Sequence, residues 1–107
     1  MTPSRLETFR AMVGKNPQNP LARFGLANEA MKEGLWAEAV EQLEAYLAQH
    51  DDEGNGFARL GEALVRLGRT DDARAALRKG IAASQRFGHP SMAAELEERL
   101  EALDAGG

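Results

Sequence analysis

The stretch that decides the fold is EALVRLGRTDDARAAL, residues 62–77, in which an apolar stripe ends at a glycine turn and a second stripe follows. Counting back 34 positions gives NEAMKEGLWAEAVEQL, residues 28–43, with its glycine, alanine and leucine at equivalent places. Gly34 thus corresponds to Gly68, and Leu43 corresponds to Leu77. Because chance would not keep both glycine turns in phase with the apolar positions, the sequence predicts a repeated pair of helices.

The composition is that of one folded domain. The chain has 107 residues, of which 43% are hydrophobic and 28% are charged, so it is long enough to bury a modest core. Its formal charge of −4 disfavours binding to the phosphate backbone of nucleic acids, which requires a basic field. The absence of cysteine excludes disulfides, thiolate metal sites and cysteine nucleophiles.

The first residues carry no targeting or membrane signal. Residues 1–17, MTPSRLETFRAMVGKNP, are interrupted by charges at Arg5, Glu7 and Arg10 and contain no continuous apolar run. This pattern is neither that of a signal peptide nor that of a transmembrane helix. We therefore expect a cytoplasmic protein that has no membrane partner.

The apolar spacing predicts an all-α chain of six helices. Apolar residues recur every three or four positions, and no stretch alternates as a β-strand does. Ser4 and Glu7 have the spacing of a capping box, and Asn19 before Pro20 predicts the start of the second helix. Thr70 is expected to cap the fifth helix, with two aspartates in its first turn.

The helices group into successive pieces of one domain, residues 1–107. We expect an N-terminal half-repeat helix at 4–16, a first repeat at 20–53, a second repeat at 54–87 and a polar capping helix at 90–104. The large residues Met12, Met31, Trp36 and Tyr46 lie at helical spacing and are expected in the core rather than on a recognition surface. Each helical pair leaves one apolar face open, which stacking of neighbouring pairs would cover.

The repeat resembles the tetratricopeptide repeat, a helix-turn-helix unit of 34 residues. That family places leucine and a small residue in its first helix, glycine at the turn, and alanine and a large apolar residue in its second helix. Leu26, Ala27, Gly34, Ala39 and Leu43 fill these places in the first unit. The resemblance implies a solenoid of about six antiparallel helices in a right-handed superhelical stack. It also implies a non-enzymatic scaffold or adaptor that binds a peptide segment of another protein in its concave groove.

The resemblance also implies which residues line that groove. Phe24 would supply an apolar anchor beside amide and cationic donors, which suits an extended peptide bearing acidic or carboxylate groups. The alternative for Phe24 is that it packs inward or lies beneath the first helix. By position in the repeat, the groove residues are Leu21, Phe24, Asn28, Met31 and Lys32 in the first unit and Asn55, Ala58, Arg59, Glu62, Val65 and Arg66 in the second.

No stretch carries the pattern of a catalytic or cofactor site. Residues 50–53, His-Asp-Asp-Glu, could be interpreted as metal ligands, but a turn between repeats favours short polar residues in any case. The GNG at 54–56 lacks the lysine of a phosphate-binding loop, and no serine and histidine form a catalytic motif. We expect no catalytic residue, no metal and no cofactor.

A second functional hypothesis is a self-associating structural module. The N-terminal half-repeat, or a stripe formed by Leu96, Leu100 and Leu103, would then dock on a second copy to give a homodimer. The reason is that fewer than three complete repeats bury little surface on their own.

Overall fold

A computed structural model describes residues 2–106, and all regular structure within them is helical. The helices are α1 (Arg5–Lys15), α2 (Pro20–Lys32), α3 (Trp36–Gln49), α4 (Asn55–Arg66), α5 (Thr70–Arg86) and α6 (Pro90–Gly106). They form two compact units, which meet in sequence between His50 and Asp51. In the first unit α2 packs against α1 and α3, and in the second α5 packs against α4 and α6. The predicted all-α helical repeat is confirmed.

Gly34 and Gly68 are equivalent turns, as the repeat predicts. Their φ angles are +73° and +76°, in the left-handed region that favours glycine. At the first turn the N–H of Gly34 donates to Met31 O (3.1 Å) and the N–H of Leu35 donates to Ala30 O (2.8 Å). The same two bonds recur 34 positions later, from Gly68 to Val65 O and from Arg69 to Leu64 O, both 2.9 Å. The two turns therefore share one hydrogen-bonded motif.

The helix starts follow the predicted caps in two cases out of three. Ser4 Oγ accepts the N–H of Glu7, and Asn19 Oδ1 accepts those of Leu21 and Ala22. The expectation that Thr70 caps α5 is wrong, because Arg69 holds the N-cap position and makes no side-chain cap bond. The Gly68 turn already uses the N–H of Arg69, so the helix resumes at once and takes Thr70 into its first turn.

Small residues allow the helices to approach closely. Ala22, Ala27, Ala30 and Ala39 are completely buried between the helices of the first unit, where Leu26 and Leu43 fill the space between them. A Cβ atom added at Gly61 would lie 3.0 Å from Leu77 Cδ2, so this glycine brings α4 against α5. Leu43 and Leu77 therefore occupy the same position in the two repeats, and both fill the core.

The expected core placement of four large residues holds for one of them. Tyr46 is 7% exposed and belongs to the core, whereas Trp36 and Met31 are only partly buried. Met12 is 41% exposed, so its predicted burial is wrong. The reason is that α1 packs on one neighbour, through the side of the helix that carries Leu6 and Phe9. Met12, one turn beyond Phe9, lies at the edge of that side and stays largely exposed.

The segment that leads into α4 is held by a buried carboxylate. Asp52 is 5% exposed, and its Oδ1 accepts the N–H groups of Gly54 (2.7 Å) and Gly56 (2.8 Å). Gly54 has φ +134°. The position 34 residues later, Gly88, has φ +75° and closes α5 with the bond pattern of the Gly34 turn. The two connections between repeats are therefore built differently.

Ion pairs join α1 to the rest of the first unit and predict a dependence of stability on pH. Glu29 Oε2 accepts from Lys32 Nζ (3.0 Å) and Oε1 from Arg5 Nε (3.2 Å). Glu38 accepts two bonds from the Arg10 guanidinium, at 2.6 and 2.9 Å. The Lys32 bond lowers the pKa of Glu29 from 4.5, and the Arg10 bonds lower that of Glu38 from the same value.

Since both carboxyl groups have lower pKa values in the folded chain, the unfolded chain binds more protons in acid. The stabilisation by these ion pairs is fully present above pH 4.5, the ordinary pKa of glutamate, and is lost as the pH falls through the pKa values of the folded chain. We expect Glu38→Gln to reduce the loss of stability measured by urea unfolding between about pH 7 and about pH 3. Glu44→Gln, at an exposed position of the same helix, is the control. An equal reduction in both variants would contradict the prediction.

Candidate partner-binding surface

The predicted groove residues of the first unit lie on α2 and differ in exposure. Leu21 is 78% exposed, which is unusual for a leucine and leaves an apolar side chain open to a partner. Phe24, Asn28 and Met31 are partly buried, and Lys32 is exposed. The Nζ atom of Lys32 is bonded to Glu29, so this predicted cation already has an anionic partner within its own helix.

Phe24 packs against its own unit and also stays partly exposed, so it agrees in part with both interpretations that the sequence left open. Its ring centroid lies 5.0 Å from that of Tyr46 on α3, and the Tyr46 ring lies 5.0 Å from that of His50. Tyr46 is buried, whereas Phe24 keeps part of its surface exposed. The side chain therefore packs on the aromatic group of α3 and still contributes to the surface of α2.

Asn28 carries a polar atom that the fold does not satisfy. Its Oδ1 is buried and has no hydrogen-bond partner among residues 2–106. A buried acceptor without a donor costs about 1–3 kcal/mol, so the position gains free energy when a donor reaches it. A donor from a bound segment, such as a peptide N–H, would satisfy it.

The predicted groove residues of the second unit share one face of α4. Asn55, Arg59, Glu62 and Arg66 are all exposed and follow one another at intervals of three or four positions. Hydrogen-bonded turns at both ends of α4 hold this face in place. It presents two guanidinium groups, one carboxylate and one amide to solvent.

This face borders an open, mostly apolar cavity of about 240 Å³ within the second unit. The cavity brings the predicted residues Glu62, Val65 and Arg66 together, whereas Asn55 and Arg59 do not line it. Leu77 of α5 is 3% exposed and closes the cavity from within the core. The lining residues are Gly61, Glu62, Val65, Arg66, Leu77, Arg99, Ala102 and Leu103.

Sequence reasoning missed the contribution of α6. Arg99, Ala102 and Leu103 form one side of the cavity, although this helix was expected to be a polar cap. Their spacing of three and four positions was a signal that they share a face. Two features hid that signal. The helix is rich in acidic residues, and its sequence matches the register of the repeat only after two extra residues.

The side chains of residues 50–53 separate instead of converging on a metal. Asp51 accepts from Arg86 Nη2 at 2.6 Å, and Glu53 lies 3.2 Å from His89 Nε2. Asp52 binds backbone N–H groups, and His50 packs on Tyr46. Among the described residues, no group of three or more potential metal ligands of the His, Cys, Asp and Glu types comes together.

Within the same residues, no helix has the length and apolar character needed to cross a membrane.

The leucine stripe proposed for a homodimer is not a single exposed surface. Leu96 is 1% exposed and packs where Gly80 of α5 lacks a side chain, since a Cβ atom there would lie 2.9 Å from Leu96 Cδ1. Leu100 and Leu103 are partly exposed, and Leu103 lines the cavity. Leu96 therefore stabilises its own unit and is not accessible to a second copy.

Comparison with known proteins agrees with the repeat geometry. The tetratricopeptide repeat family matches the chain in two overlapping segments, residues 5–53 and residues 24–88. A TPR repeat-containing protein of Pseudomonas aeruginosa is 29% identical to the chain over 99 residues, which cover 92% of this chain and 94% of that protein. With the equivalent turns at Gly34 and Gly68, these matches show that the chain belongs to the tetratricopeptide repeat family.

Proposed function

We propose that this protein is a non-enzymatic adaptor that binds a segment of another protein through the exposed faces of α2 and α4. The coarser part of this function follows from the family, whose repeats generally serve as protein-interaction scaffolds. The finer part, the position of the binding surface, is our proposal. The proposed surface has one part in each unit, and each part is argued separately.

The observation that carries the proposal is the cavity beside α4. It joins apolar side chains to two arginines, and three of its lining residues, Glu62, Val65 and Arg66, are ones that the family pattern independently selects for binding. Protein interfaces favour arginine together with apolar anchors, because both bury large contact areas on binding. In the first unit, the exposed Leu21 and the unsatisfied Asn28 oxygen support the same assignment.

The charges of α4 favour an acidic segment as the partner. Arg59 and Arg66 are exposed, and guanidinium groups pair with carboxylates in a bidentate manner. The chain as a whole carries −4, so this pairing acts locally and not through long-range attraction. We therefore expect affinity to depend on contacts with individual arginines.

The test begins with a partner captured from the source cell and reduced to its binding segment. Titration of that segment into ¹⁵N-labelled protein is expected to shift amide resonances of α2 and α4. Arg59→Glu should weaken binding by about fivefold or more, because the acidic partner would then face a negative charge in place of a positive one. The matched control is Lys79→Glu, the same charge reversal at an exposed position of α5 outside the proposed surface, with an expected change below about twofold.

Two results would contradict the proposal. One is a partner that shifts only resonances outside α2 and α4. The other is an equal loss of affinity in the two charge-reversal variants. Sedimentation of the free protein at several concentrations separates adaptor from self-associating module, since a concentration-dependent dimer that blocks partner binding would favour the latter.

A further inference from the structure

Asn55 differs from the other asparagines of the chain in the residue that follows it. The next backbone nitrogen can attack the side-chain carbonyl of an asparagine if it has a proton to lose and no bulky side chain beside it. Gly56 meets both conditions, because it has an N–H and no Cβ. Proline, which follows Asn16 and Asn19, has no N–H, and Asn28 precedes a glutamate within α2. The sequence therefore makes Asn55 the asparagine most open to this attack.

The reaction at Asn55 needs only water. The Gly56 nitrogen loses its proton and bonds to Asn55 Cγ, and the side-chain nitrogen leaves as ammonia. Water then opens the resulting cyclic imide at either of its carbonyl groups, which leaves aspartate or isoaspartate at position 55. The net reaction converts an amide and a water molecule into a carboxylate and an ammonium ion. Asn55 is exposed, so water reaches the site.

The folded chain restrains the nitrogen that must attack. The N–H of Gly56 donates to Asp52 Oδ1 at 2.8 Å, and the N–H of Gly54 donates to the same buried oxygen at 2.7 Å. Asn55 is the first residue of α4, so the peptide unit between Asn55 and Gly56 must rotate before the nitrogen can reach Cγ. That rotation breaks the bond to Asp52, which is costly because the acceptor is a carboxylate.

We propose that Asn55 is a site of spontaneous deamidation and that Asp52 sets the rate of this modification. The reaction proceeds in those molecules in which the first turn of α4 is locally open. The hydrogen bond from Gly56 to Asp52 keeps this open fraction small in the native protein. A larger open fraction gives a proportionally higher rate.

Deamidation changes the charge of the proposed partner-binding surface. Helix α4 has no acidic residue in its first turn, and a carboxylate at position 55 is favoured there by the helix dipole. It also lies four positions before Arg59, which is the spacing of an ion pair along a helix. The modification therefore weakens the binding of an acidic segment, a consequence that rests on the proposed function.

The experiment follows the full chain by peptide mapping and mass spectrometry in mildly alkaline buffer, since the attacking nitrogen must lose its proton. Asn55 is expected to convert to aspartate and isoaspartate, while the three other asparagines stay intact. In water enriched in ¹⁸O the product gains a labelled oxygen, which separates this hydrolysis from earlier loss of the amide. In the ¹⁵N-labelled chain, the side-chain amide signals of Asn55 should disappear at the same rate.

Asp52→Ala is expected to raise the rate at Asn55 by about tenfold, since it removes a hydrogen bond to a charged group. Asp52→Asn keeps an oxygen acceptor without the charge and should give an intermediate rate. Asp51→Ala is the matched control, because the Asp51 carboxylate is exposed and pairs with Arg86. The control should change the rate by less than about twofold.

Two further measurements separate local opening from unfolding. Leu43→Ala weakens the core of the first unit and leaves Asp52 in place, so the rate at Asn55 should stay unchanged. In urea, the wild-type and Asp52→Ala chains should deamidate at one common rate, faster than that of the native protein. Circular dichroism verifies that the variants fold in the absence of urea.

The proposal is overturned if Asn55 of the native protein converts no faster than Asn28. It is also overturned if Asp52→Ala and Asp52→Asn behave as Asp51→Ala does, or if Leu43→Ala accelerates the reaction as much as Asp52→Ala. The mass measurements need no partner, so they decide on the modification even if the proposed function fails.

Asn55→Asp reproduces the aspartate product and tests the consequence for binding. It should weaken the binding of the captured partner segment by about threefold, which is the size of an exposed ion-pair effect. An unchanged affinity would overturn this consequence and leave the proposed function, which depends on Arg59, standing.

Discussion

Leu43→Ala is expected to lower the free energy of unfolding by about 3 kcal/mol, within the 2–5 kcal/mol range typical of buried leucines. Leu43 is completely buried, and it lies among alanines that are themselves fully enclosed by α2 and α3. Those small neighbours cannot expand to fill the space, so a cavity remains and the lost contacts are not recovered. Urea unfolding of the full chain, followed by circular dichroism, measures the change.

The chain offers a control with the same chemical change. Leu21→Ala also removes a leucine side chain from the first unit, but this side chain is 78% exposed. We expect its free energy of unfolding to change by less than about 0.5 kcal/mol, because little buried surface is lost. Equal costs at the two positions would contradict the assignment of Leu43 to the core and of Leu21 to the binding surface.

Gly54→Ala is expected to cost about 3 kcal/mol or more, for two separate reasons. The backbone φ of +134° is a conformation that residues with a side chain rarely adopt. A Cβ atom there would also overlap Ser84 Oγ and lie 2.6 Å from Met92 Sδ. Any shift that relieves these contacts would disturb the bonds from Gly54 and Gly56 to the buried Asp52 carboxylate.

Gly68→Ala separates the two causes. Its φ is +76°, and an added Cβ would have no atom within 4 Å, so only backbone strain of about 1 kcal/mol is expected. The double variant Gly54→Ala with Ser84→Ala should recover part of the loss, since it removes one of the overlapping atoms. If Gly54→Ala costs no more than Gly68→Ala by thermal or urea unfolding, the steric contribution is wrong.

The prediction from sequence was most successful where the physical cause is local. The equivalence of Gly34 and Gly68 depends on a turn within a few residues, and the hydrogen bonds of both turns match. The cap at Thr70 was wrong by one position, because the preceding turn determines where the helix resumes. Met12 was placed in the core from spacing alone, although α1 packs mainly against α2 and leaves Met12 41% exposed.

The candidate site was predicted only in part, because some of its residues are placed by the repeat itself and others by contacts between distant helices. Glu62 and Arg66 were identified from their position in the repeat, and the structure places both at the cavity. Arg99 was missed and Leu103 was assigned only to a dimer stripe, because their proximity to α4 depends on how α6 packs and not on the repeat register. The engagement of Lys32 by Glu29 likewise needs the side-chain geometry.

By itself, the sequence determined the helical period, the glycine turns and the leucines that fill the core, because each depends on contacts within one helical pair. Only the tertiary structure decided which exposed residues share a cavity. That choice depends on the close contact of Gly80 with Leu96, which fixes α6 against α5 and makes Arg99 part of the same cavity lining as Arg66. Such contacts join residues distant in sequence, and no local pattern encodes them.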